Sequence, residues 1–279
     1  VHRQPTRCTT PADVMDATLG AVTIGLVPAL GALHAGHLAL IRRSHAENDD
    51  TIVVIFDPDG TPLSLDDTDF QQASEEGARI FYNPAPTTVY PPGFATTVHI
   101  NGLSDRWEGE SQPEVQDRIA TLMTILINQL QPTRTYLGEK HLQQLTIVKR
   151  LHTDLSLSGE IVTCPIVRDP DGLPLSSANA TLTPDERNTA LAIPAALFAI
   201  QQRTLEDETN SAILEAEART QIAAHPDINL EYLAIVDPET FTPLPEVVTG
   251  ARAIVAATIG GTRILDNVYL QRGTEHTDR

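Results

Sequence analysis

The chain has 279 residues and a formal net charge of −18, from 19 Lys and Arg against 37 Asp and Glu. Hydrophobic residues make up 41% and charged residues 20%, the composition of a globular protein with a sizeable core rather than of a disordered chain. So acidic a chain lacks the electrostatic footprint that a nucleic-acid backbone or an anionic membrane surface demands, though a local positive pocket for a small phosphorylated ligand remains compatible with it. Cys8 and Cys164 make neither a disulfide framework nor a zinc-ligand spacing. No apolar run approaches the roughly 20 residues of a spanning helix, and the N-terminus lacks a signal peptide's apolar core. The expectation is a cytoplasmic protein of about two domains.

In chain order, Val22–Pro28 reads as a short apolar strand, followed by the Gly-bearing loop ALGALHAGH and the apolar-periodic helix of LALIRRSHAEN. TIVVIF at Thr51–Phe56 reads as a buried parallel strand. Asp57–Asp69, rich in Asp, Pro and Gly, reads as a loop, and Ala78–Tyr82 and Thr96–Ile100 as two further strands. Apolar residues at Ile119, Leu122, Met123, Leu126, Ile127 and Leu130 predict a helix over Arg118–Leu130. Thr135–Leu137 predicts a strand, Gln143–Leu155 a second amphipathic helix, and Ile161–Val167 an edge or bulged strand because Pro165 lies inside it. Alternating strands and helices argue for a doubly wound parallel sheet covered on both faces.

The pattern changes after Pro174. Thr183 followed by Pro184 and Glu186 predicts a capped helix running to about Arg203. A helix at Ser211–Ala224 and strands at Asn229–Val236, Ala251–Ile259 and Arg263–Leu270 complete a smaller α+β part. The expected domains are 1–174 and 175–279, with the boundary near Leu173–Ser176.

The most informative segment is Pro28–His37, which brings His34-Ala-Gly-His37 to the start of a helix just after the first strand. Ligands of doubly wound sheets bind at the carboxyl ends of the strands, where a helix N-terminus offers N–H groups and partial positive charge to phosphate. Gly36 carries no side chain to hold a phosphate away from the backbone. His34 and His37 lie on one helical turn and can donate hydrogen bonds to phosphate oxygens as charge develops on them. The plainer alternative is that the two histidines cap the helix or pack. His45, His99 and His152 fall in no constellation and read as structural.

LVPALGALHAGHLALIRRS resembles the ATP-binding segment of the pantoate–β-alanine ligase family, whose members are nucleotidyltransferases with a His-x-Gly-His motif. VYPPGFATTV, QPTRTYLGEKHLQQL, IVRDPDGLPLSSAN, YLAIVDPETFTPL and GGTRILDNVYL resemble further family segments in the same order, so the likeness spans nearly the whole chain. It implies a Rossmann-like fold with a C-terminal lid, a homodimer formed by the N-terminal domains, and ATP and Mg2+ as cofactors. It implies ligation of pantoate and β-alanine to pantothenate through a pantoyl adenylate. By the same likeness His34 and His37 stabilise the adenylylation transition state, and Lys140 binds ATP phosphate. Gly36, Gly138, Val167, Ser176 and Ser177 complete the ATP site, Gln144 binds pantoate, and Asp69 and Gln72 stand on the magnesium side. An ordinary solvated acidic loop is the alternative for Asp66, Asp67 and Asp69.

Departures from the family pattern gather around these positions. Pro-Thr-Met-Gly becomes Pro28-Ala29-Leu30-Gly31, and the glutamine of Phe-Val-Asn-Pro-x-Gln-Phe has no counterpart in Phe56-Asp57-Pro58-Asp59-Gly60. The Arg-Pro-Gly-His-Phe-x-Gly loop becomes Gln112–Arg118, Lys-Asp becomes Lys140-His141, and Ser-Ser-Arg becomes Ser176-Ser177-Ala178. They imply weakened turnover, a ligase for a different carboxylate and a related small amine, or a non-catalytic or re-purposed nucleotide-binding paralogue.

Overall fold

A computed structural model describes residues 4–273 except Ala32, Pro62, Ser64 and Leu65, so the parts of the expected loops that fall on those four lie outside the described residues. Two compact units result: one of the residues through Glu139 with Gln143–Pro165, the other of Lys140–Leu142 with the residues from Ile166 on.

The first unit opens with β1 (Thr6–Cys8) and α1 (Pro11–Ala17), whose Thr10 and Asp13 form a reciprocal capping box. The apolar run at Val22–Pro28 becomes β2 (Ile24–Ala29), followed by α2 (Ala35–Glu47) and β3 (Asp50–Ile55), every residue of which is buried. Then come α3 (Asp67–Glu75), β4 (Ile80–Tyr82), the single-turn α4 (Pro86–Val89) and α5 (Glu108–Ser111), and the long α6 (Pro113–Leu130). β5 (Arg134–Gly138), a 3-10 turn at Glu139–His141, α7 (Leu142–Asp154) and β6 (Glu160–Cys164) follow. All six strands pair in parallel, in the order β1-β4-β3-β2-β5-β6. β6 is the edge strand expected of the Pro165 region, and it stops at Cys164, one residue before the proline that could not donate to a ladder.

The second unit has a 3-10 turn at Ser177–Thr181, then α8 (Pro184–Ala190), α9 (Ala192–Leu205) and α10 (Ser211–Ala223). β7 (Asn229–Val236), β8 (Arg252–Ile259) and β9 (Thr262–Tyr269) form an antiparallel sheet. Ile193, Leu197, Leu214, Ile235, Val255 and Ile264 meet in its core. A parallel Rossmann-like sheet in one unit and a smaller antiparallel sheet with helices in the other is the fold class expected from the sequence.

Three expectations are corrected. Thr96–Ile100 is not a strand: the Val98 N–H donates to Thr121 Oγ1 at 2.9 Å and His99 is fixed to Asp117 at 2.9 Å, so the segment is tied to α6 rather than to a sheet. The loop beginning at Asp57 ends at Asp66, whose carboxylate accepts from the Asp69 N–H at 2.7 Å and starts α3 there. The single helix after Thr183 is two, because Pro194 has no N–H for the Ala190 carbonyl and the chain breaks at Leu191.

The position of α2 is set by Gly25. A Cβ at Gly25 would lie 2.0 Å from Ser44 Oγ and 2.7 Å from Asn48 Nδ2, so only glycine lets α2 settle this closely on β2. Once seated, Ser44 bonds Thr51 at 2.9 Å, Asn48 donates to Tyr136 Oη at 2.7 Å, and Arg43 Nη1 donates to the Thr163 carbonyl at 2.7 Å. Gly25→Ala should therefore destabilise the protein by about 1–3 kcal/mol, the usual cost of overpacking, read as a lower urea midpoint at unchanged m-value. A midpoint equal to that of the unaltered chain would show that α2 is not held by this contact.

Candidate active site

In the parallel sheet the strand order reverses its direction of growth at β2, with β3 on one side and β5 on the other. Such a switch point opens a crevice at the carboxyl ends of the strands, where a ligand fits. His34 stands at the end of the loop leaving β2, and Gly138 is the last residue of β5. Gln144 lies in the first turn of α7 just beyond β5, and Asp69 in the first turn of α3 beyond β3. The first unit thus brings His34, Gly36, His37, Gly138, Gln144 and Asp69 to one edge of one sheet. Gln72 follows a turn later on α3, exposed.

His34 is the N-cap of α2, and its Nδ1 accepts from the Gly36 N–H at 3.1 Å. An Nδ1 that accepts carries no proton, so the neutral ring holds its N–H on Nε2 as a donor. The His37 ring lies 4.0 Å from the His34 ring between centroids. Capping and ligand chemistry therefore coexist in one residue: the cap employs Nδ1 and fixes which nitrogen donates. Gly36 is needed for a reason beyond phosphate approach, since a Cβ there would sit 2.8 Å from His34 Cε1 and 2.9 Å from its Nδ1. A Cβ at Gly138 would meet nothing within 4 Å, so packing does not demand glycine there.

The two glutamines at the start of α7 are used differently. Gln143 is buried, donates to the Leu103 and Arg106 carbonyls at 2.6 and 2.7 Å, and accepts from the Glu108 N–H at 3.2 Å. It pins the segment before α6. Gln144 is half-buried and takes no part in that network. Asp69 has its carboxyl pushed up by burial and, secondarily, by Asp66. Among the described residues no three or more His, Cys, Asp and Glu group into a metal-holding cluster.

In the second unit Val167 and Leu175 are tied by the Leu175 N–H donating to the Val167 carbonyl at 2.9 Å, and Arg168 bridges Pro174. Ser176 caps the 3-10 turn, whose Asn179 is buried and donates from Nδ2 to the Pro174 carbonyl at 2.9 Å. Ser177 is exposed. Burial lowers the Lys140 ammonium to about 8, against the opposing pull of Asp266. Asp266 is buried on β9 and receives both Arg168 guanidinium nitrogens, at 2.7 and 2.8 Å, and the Asn267 N–H at 2.7 Å. Burial pushes the Asp266 carboxyl up while Arg168, Asn267 and Lys140 pull it down. Neither Arg168 nor Asp266 stood out in the sequence, because a sequence separation of 98 hides their pairing.

A six-stranded parallel sheet with a histidine-capped helix at its switch point is a Rossmann-like α/β fold. Residues 7–269 match the family model described as pantoate-beta-alanine ligase. A pantothenate synthetase of Koribacter versatilis is 37% identical over 259 residues, covering 89% of each chain. The crystal structure of pantothenate synthetase from Thermus thermophilus superposes with a TM-score of 0.86 at 34% identity, over 94% of this chain and 98% of that one. The pantoate-beta-alanine ligase of Francisella tularensis, complexed with beta-gamma ATP and beta-alanine, superposes at 0.74 with 27% identity, over 95% and 97%. The chain belongs to the pantoate–β-alanine ligase family and is an enzyme of that class. No helix among the described residues is long and apolar enough to cross a membrane.

Two outcomes test this geometry. Gly36→Ala should displace the His34 ring and remove its cap, lowering stability by about 1 kcal/mol in thermal or denaturant melts. The Lys140 ammonium should titrate near 8 by side-chain NMR, losing its charge as pH rises through that value; titration at the solvated value of about 10.4 would contradict its burial.

Proposed function

We propose that the chain joins pantoate to β-alanine at the expense of ATP, through a pantoyl adenylate, and does so more slowly than a family member with unaltered motifs. The observation that carries this reading is the cap of α2: an imidazole fixed as an Nε2–H donor, beside a second imidazole, at a helix N-terminus on the ligand edge of the sheet. In the first step the pantoate carboxylate attacks the α-phosphorus and pyrophosphate leaves. Negative charge grows on the phosphoryl oxygens, where the His34 Nε2–H, His37 and the partial positive charge of the α2 N-terminus stabilise it. In the second step the β-alanine amine attacks the acyl carbon and AMP departs.

The remaining assignments follow the same logic. The Lys140 ammonium pairs with ATP phosphate, and Gly36 and Gly138 leave the backbone open to the nucleotide. Ser176 and Ser177 complete the ATP contacts from the 175–279 part, and Val167 from the end of the 1–174 part. Gln144, spared from the network of Gln143, binds pantoate. Mg2+ supplies charge neutralisation to the phosphates. An ion of this kind keeps several waters and binds one or two carboxylates together with substrate phosphates, a mode that fits a single half-buried Asp69, with Gln72 beside it, better than a dedicated protein cage. A homodimer through the N-terminal parts completes the proposal.

Slow turnover follows from what the site lacks. Ala178 offers no guanidinium to the departing pyrophosphate, and one such donor contributes about 3 kcal/mol, or roughly a hundredfold in rate. The loop after β3 carries Asp57 and Asp59 in place of an amide; Arg118 pairs with Asp59 at 2.6 Å and offsets part of that charge. That ion pair also favours a second reading, ligation of a different small carboxylic acid.

With ATP, Mg2+, pantoate and β-alanine, pyrophosphate release should depend on pantoate and run below about 1 per second, a rate ordinary for enzymes. Ala178→Arg should raise it, by up to about a hundredfold. Lys140→Ala should weaken ATP binding, and ATP affinity of the unaltered chain should fall from pH 7 to 9 as the ammonium is lost near 8. No pantoate-dependent release would favour the other carboxylate or a non-catalytic paralogue, and release well above 1 per second would remove the argument from the altered motifs.

A further inference from the structure

Gln116 is a polar side chain that the fold does not explain. It is 1% exposed, and its Oε1 is buried without a hydrogen-bond partner. A buried acceptor without a donor is destabilising, so a leucine would serve a purely structural position better.

Its place in the fold points to a ligand. Gln116 lies on the buried stripe of α6 with Ile119, Ala120 and Met123. α6 leads into β5 of a parallel sheet, so it runs back against the strands and its first turns stand at their carboxyl ends, the edge that holds His34 and Gln144. Arg118, two residues on, reaches Asp59 in the loop leaving β3. Burial pushes the Tyr90 hydroxyl up, Arg118 pulls it down and Asp59 and Asp57 push it up again, and this hydroxyl donates to the Pro58 carbonyl at 3.3 Å. The start of α6, the loop after β3 and Tyr90 therefore form one cluster at that edge. Gln129, the other α6 glutamine with a buried unpartnered Oε1, lies on the last turn at the opposite end and shares none of this.

We infer that Gln116 is a substrate-binding residue whose Oε1 accepts a hydrogen bond from a hydroxyl of the hydroxylated carboxylic acid. A neutral carbonyl oxygen repels the carboxylate end of such an acid and matches its hydroxyl end, so it orients the acid with its carboxylate turned away. The inference rests on the proposed reaction and adds a residue to it. It gives the loop after β3, which has lost its amide, a neighbouring amide on another element.

The test compares Gln116→Leu and Gln116→Met with the unaltered chain by steady-state kinetics and thermal melting. KM for pantoate should rise about tenfold or more in both, with KM for ATP and β-alanine unchanged. The melting temperature should stay equal or increase, because an uncompensated polar atom is removed. An unchanged KM for pantoate in variants that melt normally overturns the inference, as does a KM shift confined to β-alanine. A lower melting temperature in both variants overturns it too, by showing that the amide is satisfied within the fold. Absence of pantoate-dependent turnover in the unaltered chain overturns the functional reading and this inference with it, whereas turnover with unchanged KM in the variants overturns the inference alone.

Discussion

The close seat of α2 on β2 is the constraint on which the rest of the first unit depends. Gly25 has no Cβ, so Ser44 and Asn48 come down onto the strand, and three hydrogen bonds then tie the helix to β3, β5 and β6. A helix anchored along its length has a fixed first turn. That turn carries His34 and His37, and their relation to the carboxyl ends of β2 and β5 is set by backbone packing rather than by the loop before them. Side chains whose position matters are best placed on rigid elements supported from behind, and α2 is such an element.

The charge balance makes the same helix matter twice. A chain with a net charge of −18 repels a polyphosphate at long range. In the proposed assignment the groups that meet the polyphosphate are the backbone N–H groups at the α2 end, an imidazole whose cap leaves Nε2 as the donor, and Lys140, whose burial brings its titration down to about 8. Asp266 opposes that descent, and it is itself held by the Arg168 fork and the Asn267 N–H. Removing water around Lys140 strengthens its interaction with any phosphate it meets while making its charge sensitive to pH.

Much of this was legible in the residues, and what was not has physical causes. β3 and β7 were readable because fully apolar or alternating runs leave little choice, and the Thr183 capping box marked its helix start to the residue. β1 was missed because Thr6-Arg7-Cys8 lacks the apolar run that marked the equally short β4, and Thr96–Ile100 misled because its backbone is tied to α6 instead of to a sheet. At the site, His34 and His37 announced themselves through local spacing. The commitment of His34 Nδ1 to the cap, the division of labour between Gln143 and Gln144, and the Arg168–Asp266 fork are tertiary facts with no short-range trace. Gln116 was hidden most thoroughly, since the expected helix began at Arg118 and left Gln116 in the loop before it, whereas α6 begins at Pro113 and buries it.

The proposed reaction turns on attack of the acid's carboxylate on the α-phosphorus beside the α2 N-terminus. Pantoate carrying heavy oxygen in its carboxylate tests this most directly. With ATP and β-alanine present, the released AMP should carry one heavy oxygen, because the bridging oxygen of the acyl adenylate leaves with AMP. Unlabelled AMP, or label recovered in inorganic phosphate alongside ADP, would contradict it.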